Sequence, residues 1–463
     1  MKKVFQTVSH LDNRCYTQYN LSEDILMEHA GTAIKNFIFK KIKKNKKILI
    51  VCGTGNNGAD GLVLARLLFS RYDTTIYMSG FMKTDIGKLQ ATRVAKLGAK
   101  TIDILPKVLQ FDVVVDCLFG SGLSRDLDEK QTNILKLLNN TKAYKIACDT
   151  PSGLDNTGRP RPMCFKADTT ITMGALKLSL FADISKDSVG KIIVSNLGVD
   201  RTIYETDTNY YLLDKNDMKL PYRTQANTHK VLLGHLAVVC GERVGAGKLC
   251  AMSAMNFACG MTTVISTDRI ANLDDNLMQS KSLPQTTTAV AIGMGLGNNY
   301  DETLLENDLP KIIDADMFYD KNILKALTQQ NIVLTPHPKE FVSLLSLCDI
   351  CDIDTQTLQH NRVKYSKLFA DVYPHIVLLL KGANHIITYQ NRFYINPHGT
   401  NILSTAGSGD VLSGLIGSSL AYGLSPFDAT VLGSLAHTSL VQKFKKGSFA
   451  VKATDLIKRI KQL

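Results

Sequence analysis

The run KKILIVCGTGNNGADGLVLARLL, residues 46–68, constrains this chain more than any other. A short apolar stretch passes directly into a polar glycine loop and then into an apolar helical pattern, the order of a strand, a tight turn and a helix start. Gly53, Gly55 and Gly58 leave the backbone bare there, and N–H groups at the head of the following helix can face an anion. The spacing is G-x-G-x-x-G, the dinucleotide fingerprint. Two features argue against a hydride-transfer site. Asp60 sets a negative charge where a pyrophosphate would lie, and no acidic residue closes the second strand, TTIYMSGF, to take a ribose hydroxyl. The loop is expected to bind something related but different.

Strand-like runs alternate with helical stretches along the whole chain, which predicts an α/β fold of parallel sheets covered by helices. The first series reads KILIVCG, TTIYMSG, FDVVVDCLFG, YKIACDTPSG, TTITMG and KIIVSNLGV. After the polar stretch LDKNDMKLPYRTQANTHK a second series begins: GHLAVVCG, MTTVIS, TAVAIGMGLG, KIIDADMF, NIVLTPHP, HIVLLLKGANHIITYQ and RFYINP. A chain of 463 residues exceeds one typical core. A boundary near residue 215 gives domains 1–215 and 216–463, each of ordinary size.

Composition narrows the function classes. With 44% apolar and 21% charged residues the chain is ordinary for a globular protein. No apolar run approaches the roughly 20 residues that span a bilayer, and no secretory start follows Met1, so a cytoplasmic protein without a membrane partner is expected. Ten cysteines are scattered, and the single close pair, CDIC at 348–351, lacks a second half for zinc. The net charge of +12 raises a nucleic-acid reading, chiefly at KKIKKNKK, residues 40–47. Those lysines fall at the end of a helix beginning near Ser22, where cations suit the helix terminus, and no aromatic residues interleave them to stack bases. No nucleic-acid partner is expected. Assembly into a homo-oligomer stays open.

In the first half, polar residues gather at the carboxyl ends of strands, where open α/β sheets place ligands. GNNGADG is one such end. VVVDCLFGSGLSRD, with Asp116, Gly120 and Gly122, is another, and CDTPSGLD, with Asp149 and Ser152, is a third. Their side-chain and carbonyl oxygens could hold a hard cation. Asp149 could act as general acid and base if burial raises its pKa. Ordinary turn chemistry is the competing explanation.

In the second half, TAGSGDVLSGLIGSSLAYG sets a small-residue loop at the head of an apolar helix with Asp410 in its first turn. Such a loop offers an anion hole to a transferring phosphoryl group, and the aspartate can take a proton from the attacking hydroxyl. That is the ribokinase-like pattern; a favourable first-turn charge is its bland counterpart. GERVGAGKL fails the P-loop pattern at Glu242 and Leu249. TPHPKE holds His337 in a rigid turn, KGANH supplies Lys381, GMGLG admits a ligand to the backbone, and IIDADMF sets Asp314 or Asp316 near a metal, a ribose or only a turn.

GNNGADG, DCLFGSGL and DTPSGLD, in that order, resemble the NAD(P)H-hydrate epimerase domain, and the second half resembles its fused partner, the NAD(P)H-hydrate dehydratase. The resemblance implies a Rossmann-like first domain, a ribokinase-like second domain, and repair of nicotinamide cofactors hydrated across a ring double bond. It implies ligand binding by Asn56, Asn57, Gly58, Ala59 and Asp60 and by Gly120, Ser121, Gly122, Leu123, Ser124, Arg125 and Asp126. Potassium is implied at Asn57, Asp116 and Ser152, and the catalytic carboxylate at Asp149.

In the dehydratase half, the resemblance implies Ala246, Gly295 and His337 at the hydrate and Lys381, Gly382, Ala383, Asn384, His385 and Gly409 at the nucleotide. Asp410 would be catalytic, with magnesium and ADP or ATP. Departures stand at Ala59, in place of a glycine; at His385, in place of a threonine; and at Ala406 and Ser408, where G-G-T-G-D is usual. The choice between ADP and ATP stays open. The alternative reading is a ribokinase-like kinase for a small metabolite, carrying an N-terminal ligand-binding domain.

Overall fold

The computed structural model describes residues 1–442, 444 and 448–463. The chain divides into two compact units, Lys3–Thr208 and Asn209–Leu463, the latter joined by Met1–Lys2. The division falls before residue 215 because the strand Tyr210–Leu212 pairs with Arg392–Asn396 and belongs to the second unit.

The sheet of the first unit runs, edge to edge, Thr101–Ile102, Asp73–Met78, Lys47–Cys52, Val113–Cys117, Tyr144–Cys148, Thr169–Met173 and Lys191–Ser195, every neighbour parallel. All six expected strands are present, and Thr101–Ile102 is an addition at the edge. Both faces are covered, so the central strands are buried along nearly their whole length. Ile48, Ile50 and Cys52 join Met27, Ala30, Ile34 and Ile38 of the helix Glu23–Lys41 and Leu62 of Asn56–Leu68 in one core. Leu49 and Val51 point the other way, to Ile134, Leu135 and Leu138 of Glu129–Asn140.

Strand order reverses between Lys47–Cys52 and Val113–Cys117, which opens a crevice beyond their carboxyl ends. The loops meet closely there. A Cβ placed on Gly53 would stand 1.9 Å from the carbonyl oxygen of Leu118, so only glycine fits.

The second unit repeats the plan. Its sheet runs Met278–Ser280, Met261–Ile265, His235–Val239, Ala289–Ile292, Lys311–Ile313, Ile332–Leu334 and Val377–Leu380 in parallel. The run HIVLLLKGANHIITYQ is not one strand. Val377–Leu380 turns through residues 381–384 into the antiparallel strand His385–Tyr389, which pairs with Arg392–Asn396. The order reverses between His235–Val239 and Ala289–Ile292, and a Cβ on Gly241 would stand 1.8 Å from the Leu296 carbonyl oxygen. The helix Ser408–Ala421 crosses Val244–Met255 at Gly414, where a Cβ would meet the Cys250 carbonyl oxygen at 2.3 Å. Ser253 Oγ donates to the Val411 carbonyl at 2.8 Å and ties the same crossing. This contact fixes the helix that carries Asp410. No helix among the described residues is long and apolar enough to cross a membrane.

Candidate functional site

A cavity of 590 Å³ opens at the switch point of the first unit. Asn56, Asn57, Asp60, Gly120, Ser121, Gly122, Leu123, Ser124, Arg125 and Asp149 line it, as the sequence predicts, together with Asp12, Tyr16, Glu23 and Lys83. Residues 56–60 are not a loop but the first turns of the helix Asn56–Leu68, whose leading N–H groups lack intrahelical acceptors. Gly58 and Ala59 lie beneath that surface. Ala59 is wholly buried in the apolar core, so the methyl that departs from the usual glycine is accommodated away from the cavity. Asp126 is exposed outside it, 3.9 Å from Arg161.

Asp149 sits at the end of its strand with a left-handed φ of 69°, uncommon for a residue with a side chain. The Ser121 and Met173 N–H groups donate to its oxygens at 3.1 and 3.2 Å. Lys177 Nζ lies 2.6 Å from Asp149 Oδ1 and is itself only 1% exposed, donating also to Thr172 Oγ1 and the Met173 carbonyl. Burial alone would raise the Asp149 pKa, but the Lys177 ammonium and these donors outweigh it and hold the carboxyl below its usual value. The condition set from sequence, that burial raise the Asp149 pKa, is not met: the shift is downward and favours the ionised carboxylate.

Asp60 is corrected in the opposite sense. Burial, then the nearby charges of Asp149, Asp12 and Glu23, lifts its pKa well above the ordinary carboxylate value, which favours the neutral acid where a negative charge was expected. Asp12 is also raised by burial, and Tyr204 donates to it at 2.7 Å.

Asp116 is completely buried. Its oxygens accept from Ser152 Oγ at 2.6 Å, from Ser152 N at 2.8 Å and from Leu118 N at 3.2 Å, while burial pushes its pKa up to about 6. Phe119 N donates to Ser152 Oγ at 2.8 Å. The next residue, Gly120, would bring a Cβ within 3.5 Å of the Asn57 side chain and 3.1 Å of Asp149 Oδ2. Asn57, Asp116 and Ser152 are thus joined through the Phe119–Gly120 backbone. Both polar atoms of the Asn57 amide are buried without a hydrogen-bond partner among the described residues.

The second cluster also gathers at strand ends. Gly295, at positive φ, packs against Ala246: a Cβ there would meet the Ala246 Cβ at 3.1 Å and Arg243 at 2.7 Å. Asp314, buried at its strand end, accepts from Lys381 Nζ at 2.7 Å, Ala315 N at 2.9 Å and Ser413 Oγ at 2.6 Å. A Cβ on Gly409 would stand 3.5 Å from Lys381 Nζ. Asp410 follows in the first turn of its helix, and burial, then the charge of Asp314, pushes its pKa up to about 6.

His337 does not present a free imidazole. Its Nδ1 caps the helix Pro338–Leu347 by accepting from Lys339 N and Glu340 N at 3.1 and 3.2 Å, and Nε2 lies 3.1 Å from Glu340 Oε1. Burial and Lys381 lower its pKa, so it is neutral and its Nε2–H donates to Glu340. Glu340, whose pKa burial raises, in turn lies 3.7 Å from Lys381.

His385, expected at the nucleotide, is 4% exposed and shares a hydrogen bond of 2.9 Å with Ser434 Oγ, because strand alternation turns it inward. Asn384 is buried too. Lys381, Gly382 and Ala383 are the open part of that turn. Of the two loop departures, Ala406 is exposed, while Ser408 is buried and bonds His437 Nε2 at 3.0 Å. Sequence reasoning missed Lys177, Glu340 and Arg362, whose guanidinium binds the carbonyls of Leu380, Lys381 and Asn384 at 2.8–3.0 Å and holds the turn. A lysine among leucines in ALKLSL was the signal for the first, and H-x-x-E spacing ahead of an apolar helix for the second.

These features define a two-domain α/β enzyme: a Rossmann-like unit with an ionised carboxylate in its crevice, and a ribokinase-like unit with a carboxylate at a helix head beside open glycine backbone. Residues 23–179 match the YjeF-related protein N-terminus family and residues 236–462 the NAD(P)H-hydrate dehydratase family. The bifunctional NAD(P)H-hydrate repair enzyme Nnr of Helicobacter pylori is 40% identical over 100% of both chains, and that of Dictyoglomus turgidum is 31% identical over 98% of this chain and 96% of its own. A solved structure, the ADP/ATP-dependent NAD(P)H-hydrate dehydratase of Bacillus subtilis co-crystallised with ATP and Mg2+, is 23% identical, with a TM-score of 0.46 over 53% of this chain and 94% of its own. The chain belongs to the family of bifunctional NAD(P)H-hydrate repair enzymes.

Proposed function

We propose that the first unit interconverts the R and S hydrates of NADH and NADPH at Asp149, and that the second dehydrates the S hydrate at Asp410 at the expense of ADP or ATP. The observation that carries this reading is the ionised Asp149, held by Lys177 in the wall of a 590 Å³ cavity, on the same chain as a phosphoryl-transfer arrangement around Asp410. Joining the two makes chemical sense, because a dehydratase that accepts one epimer leaves the other stranded.

In the first unit, Asp149 accepts a proton from the substrate and returns it, and Lys177 keeps the carboxylate charged between turnovers. Asn57, Asp116 and Ser152 fit a potassium ion: an amide without partners, a carboxylate and a hydroxyl, linked through one loop. Bound there, the ion would supply positive charge that keeps the loop carbonyls together beside the substrate. In the second unit, Asp410 takes the proton of the ring hydroxyl while that oxygen bonds to the terminal phosphorus of the nucleotide, whose bond to the bridging oxygen breaks and releases AMP from ADP, or ADP from ATP. Lys381, Gly382, Ala383 and the Gly409 backbone receive the phosphates. Departure of phosphate with a neighbouring ring proton then restores the double bond. Magnesium fits as the nucleotide's own counter-ion, since the Asp314 oxygens are already taken by Lys381, Ala315 and Ser413. The ten free cysteines support a reducing, cytoplasmic setting.

The test is to incubate a mixture of both hydrate epimers with the protein, magnesium, potassium and either ADP or ATP. Recovery of reduced-cofactor absorbance from both epimers, with release of phosphate, is expected. Recovery limited to the S fraction would remove the epimerase, and a stable phosphoester without recovered cofactor would make the second unit a metabolite kinase.

A further inference from the structure

We infer that Lys83 reads the 2′-phosphate of the ligand, so that the first unit favours the NADPH hydrate over the NADH hydrate. The inference rests on the proposed function of this cavity and names its preferred substrate. In dinucleotide folds the segment after the second strand faces the adenosine ribose, and an acid there accepts the 2′-hydroxyl. Here Asp73–Met78 is followed by SGFMK, without an acid, and Lys83 lines the cavity. Its backbone N–H donates to the Thr54 carbonyl of the glycine loop at 2.9 Å, which fixes its place beside that loop. Among the described residues its ammonium makes no hydrogen bond or ion pair, whereas Arg125, the other basic lining residue, is engaged by the Asp126 carbonyl at 3.1 Å and by Gln131 at 3.4 Å.

Spacing supports the assignment. The strands leading to Lys83 and to Asp149 are separated by Lys47–Cys52 and Val113–Cys117. Three strand spacings amount to roughly 14 Å, a distance that an extended dinucleotide covers between its nicotinamide ring and its adenosine ribose. With the ring at Asp149 and the pyrophosphate over the glycine loop, the 2′-position falls to Lys83.

The experiment measures kcat and KM for epimerisation of each hydrate separately by the full chain. The unmodified protein should show the lower KM for the NADPH hydrate. Lys83→Ala should raise that KM roughly tenfold with kcat unchanged, and leave the NADH hydrate within about twofold, as expected for one lost charge-assisted contact. Lys83→Glu should reverse the preference. Lys88→Ala, which removes an exposed lysine paired with Asp85 on the next helix, should change neither. Adenosine 2′,5′-bisphosphate, tested by direct binding, should lose affinity in Lys83→Ala, while adenosine 5′-monophosphate should not. Equal effects on both hydrates, or Lys88→Ala matching Lys83→Ala, would overturn the inference. If no hydrate is epimerised the proposed function fails first, and the bisphosphate measurement still decides Lys83.

Discussion

Lys177 and Asp149 form an ion pair of 2.6 Å in which the lysine is the more deeply buried partner. The lysine touches no cavity space, and its other two contacts, to Thr172 and Met173, hold it on the strand that neighbours Asp149. In the proposed reaction it would act only through the carboxylate.

Asp149→Asn keeps the shape and removes the proton acceptor, so epimerisation should fall by about a hundredfold or more while dehydration of the S hydrate persists. Lys177→Met should raise the Asp149 pKa, since burial is then opposed only by the Ser121 and Met173 N–H donors, and move the acid limb of epimerisation to higher pH. Leaving one buried charge unpaired should also cost on the order of 3–5 kcal/mol of stability, read from denaturant unfolding. An unshifted limb in a folded Lys177→Met protein would separate the lysine from the chemistry.

The proposed role of Asp410 as a base requires its ionised form, and burial raises its pKa to about 6. Dehydration should therefore hold above that value and decline as pH falls through it, leaving about a tenth of the rate one unit below. Asp314→Asn removes the neighbouring charge that helps raise Asp410, so the limb should move to lower pH. A pH–rate series on the S hydrate reads both.

Potassium dependence should vanish in Asp116→Ala, with a several-fold higher KM for both hydrates, because the oxygens that would gather the ion are lost. Asn57→Leu should do the same without removing a charge. Epimerisation that is equally fast in potassium-free buffer would reduce the three residues to a buried hydrogen-bond network.

Asp410→Asn should retain nucleotide within a few-fold and lose about a thousandfold in dehydration, since backbone donors do not depend on the carboxylate. Gly409→Val should do the reverse. Its Cβ meets nothing closer than Lys381 Nζ at 3.5 Å, so the fold tolerates the side chain while the space beside Lys381 is filled. Calorimetric titration with ADP, alongside turnover, tells the two variants apart.

Asp149 was legible because it follows an apolar strand at the end where parallel sheets place polar residues, and Asp410 because a small-residue loop sets it at the head of an apolar helix. The glycine loop was legible for the first of these reasons. The charge states were not. The raised pKa of Asp60 depends first on burial and then on Asp149, Asp12 and Glu23, all distant from it in sequence. Lys177 was hidden because a lysine in an apolar run usually reads as a side chain reaching for solvent. His385 was misjudged as part of the ligand turn: the turn ends one residue earlier, and the alternation of HIITY sends the imidazole inward.

Gly53 beside Leu118 and Gly241 beside Leu296 have a consequence for how each unit tolerates change. At both places the carbonyl that would collide with a side chain belongs to the segment following the adjacent strand. Any replacement must push apart the two strands whose divergence opens the crevice. Ligand site and sheet therefore share a single point of failure: a substitution at either glycine should show as lost protein as well as lost activity, and a stable but inactive variant is not expected to arise there.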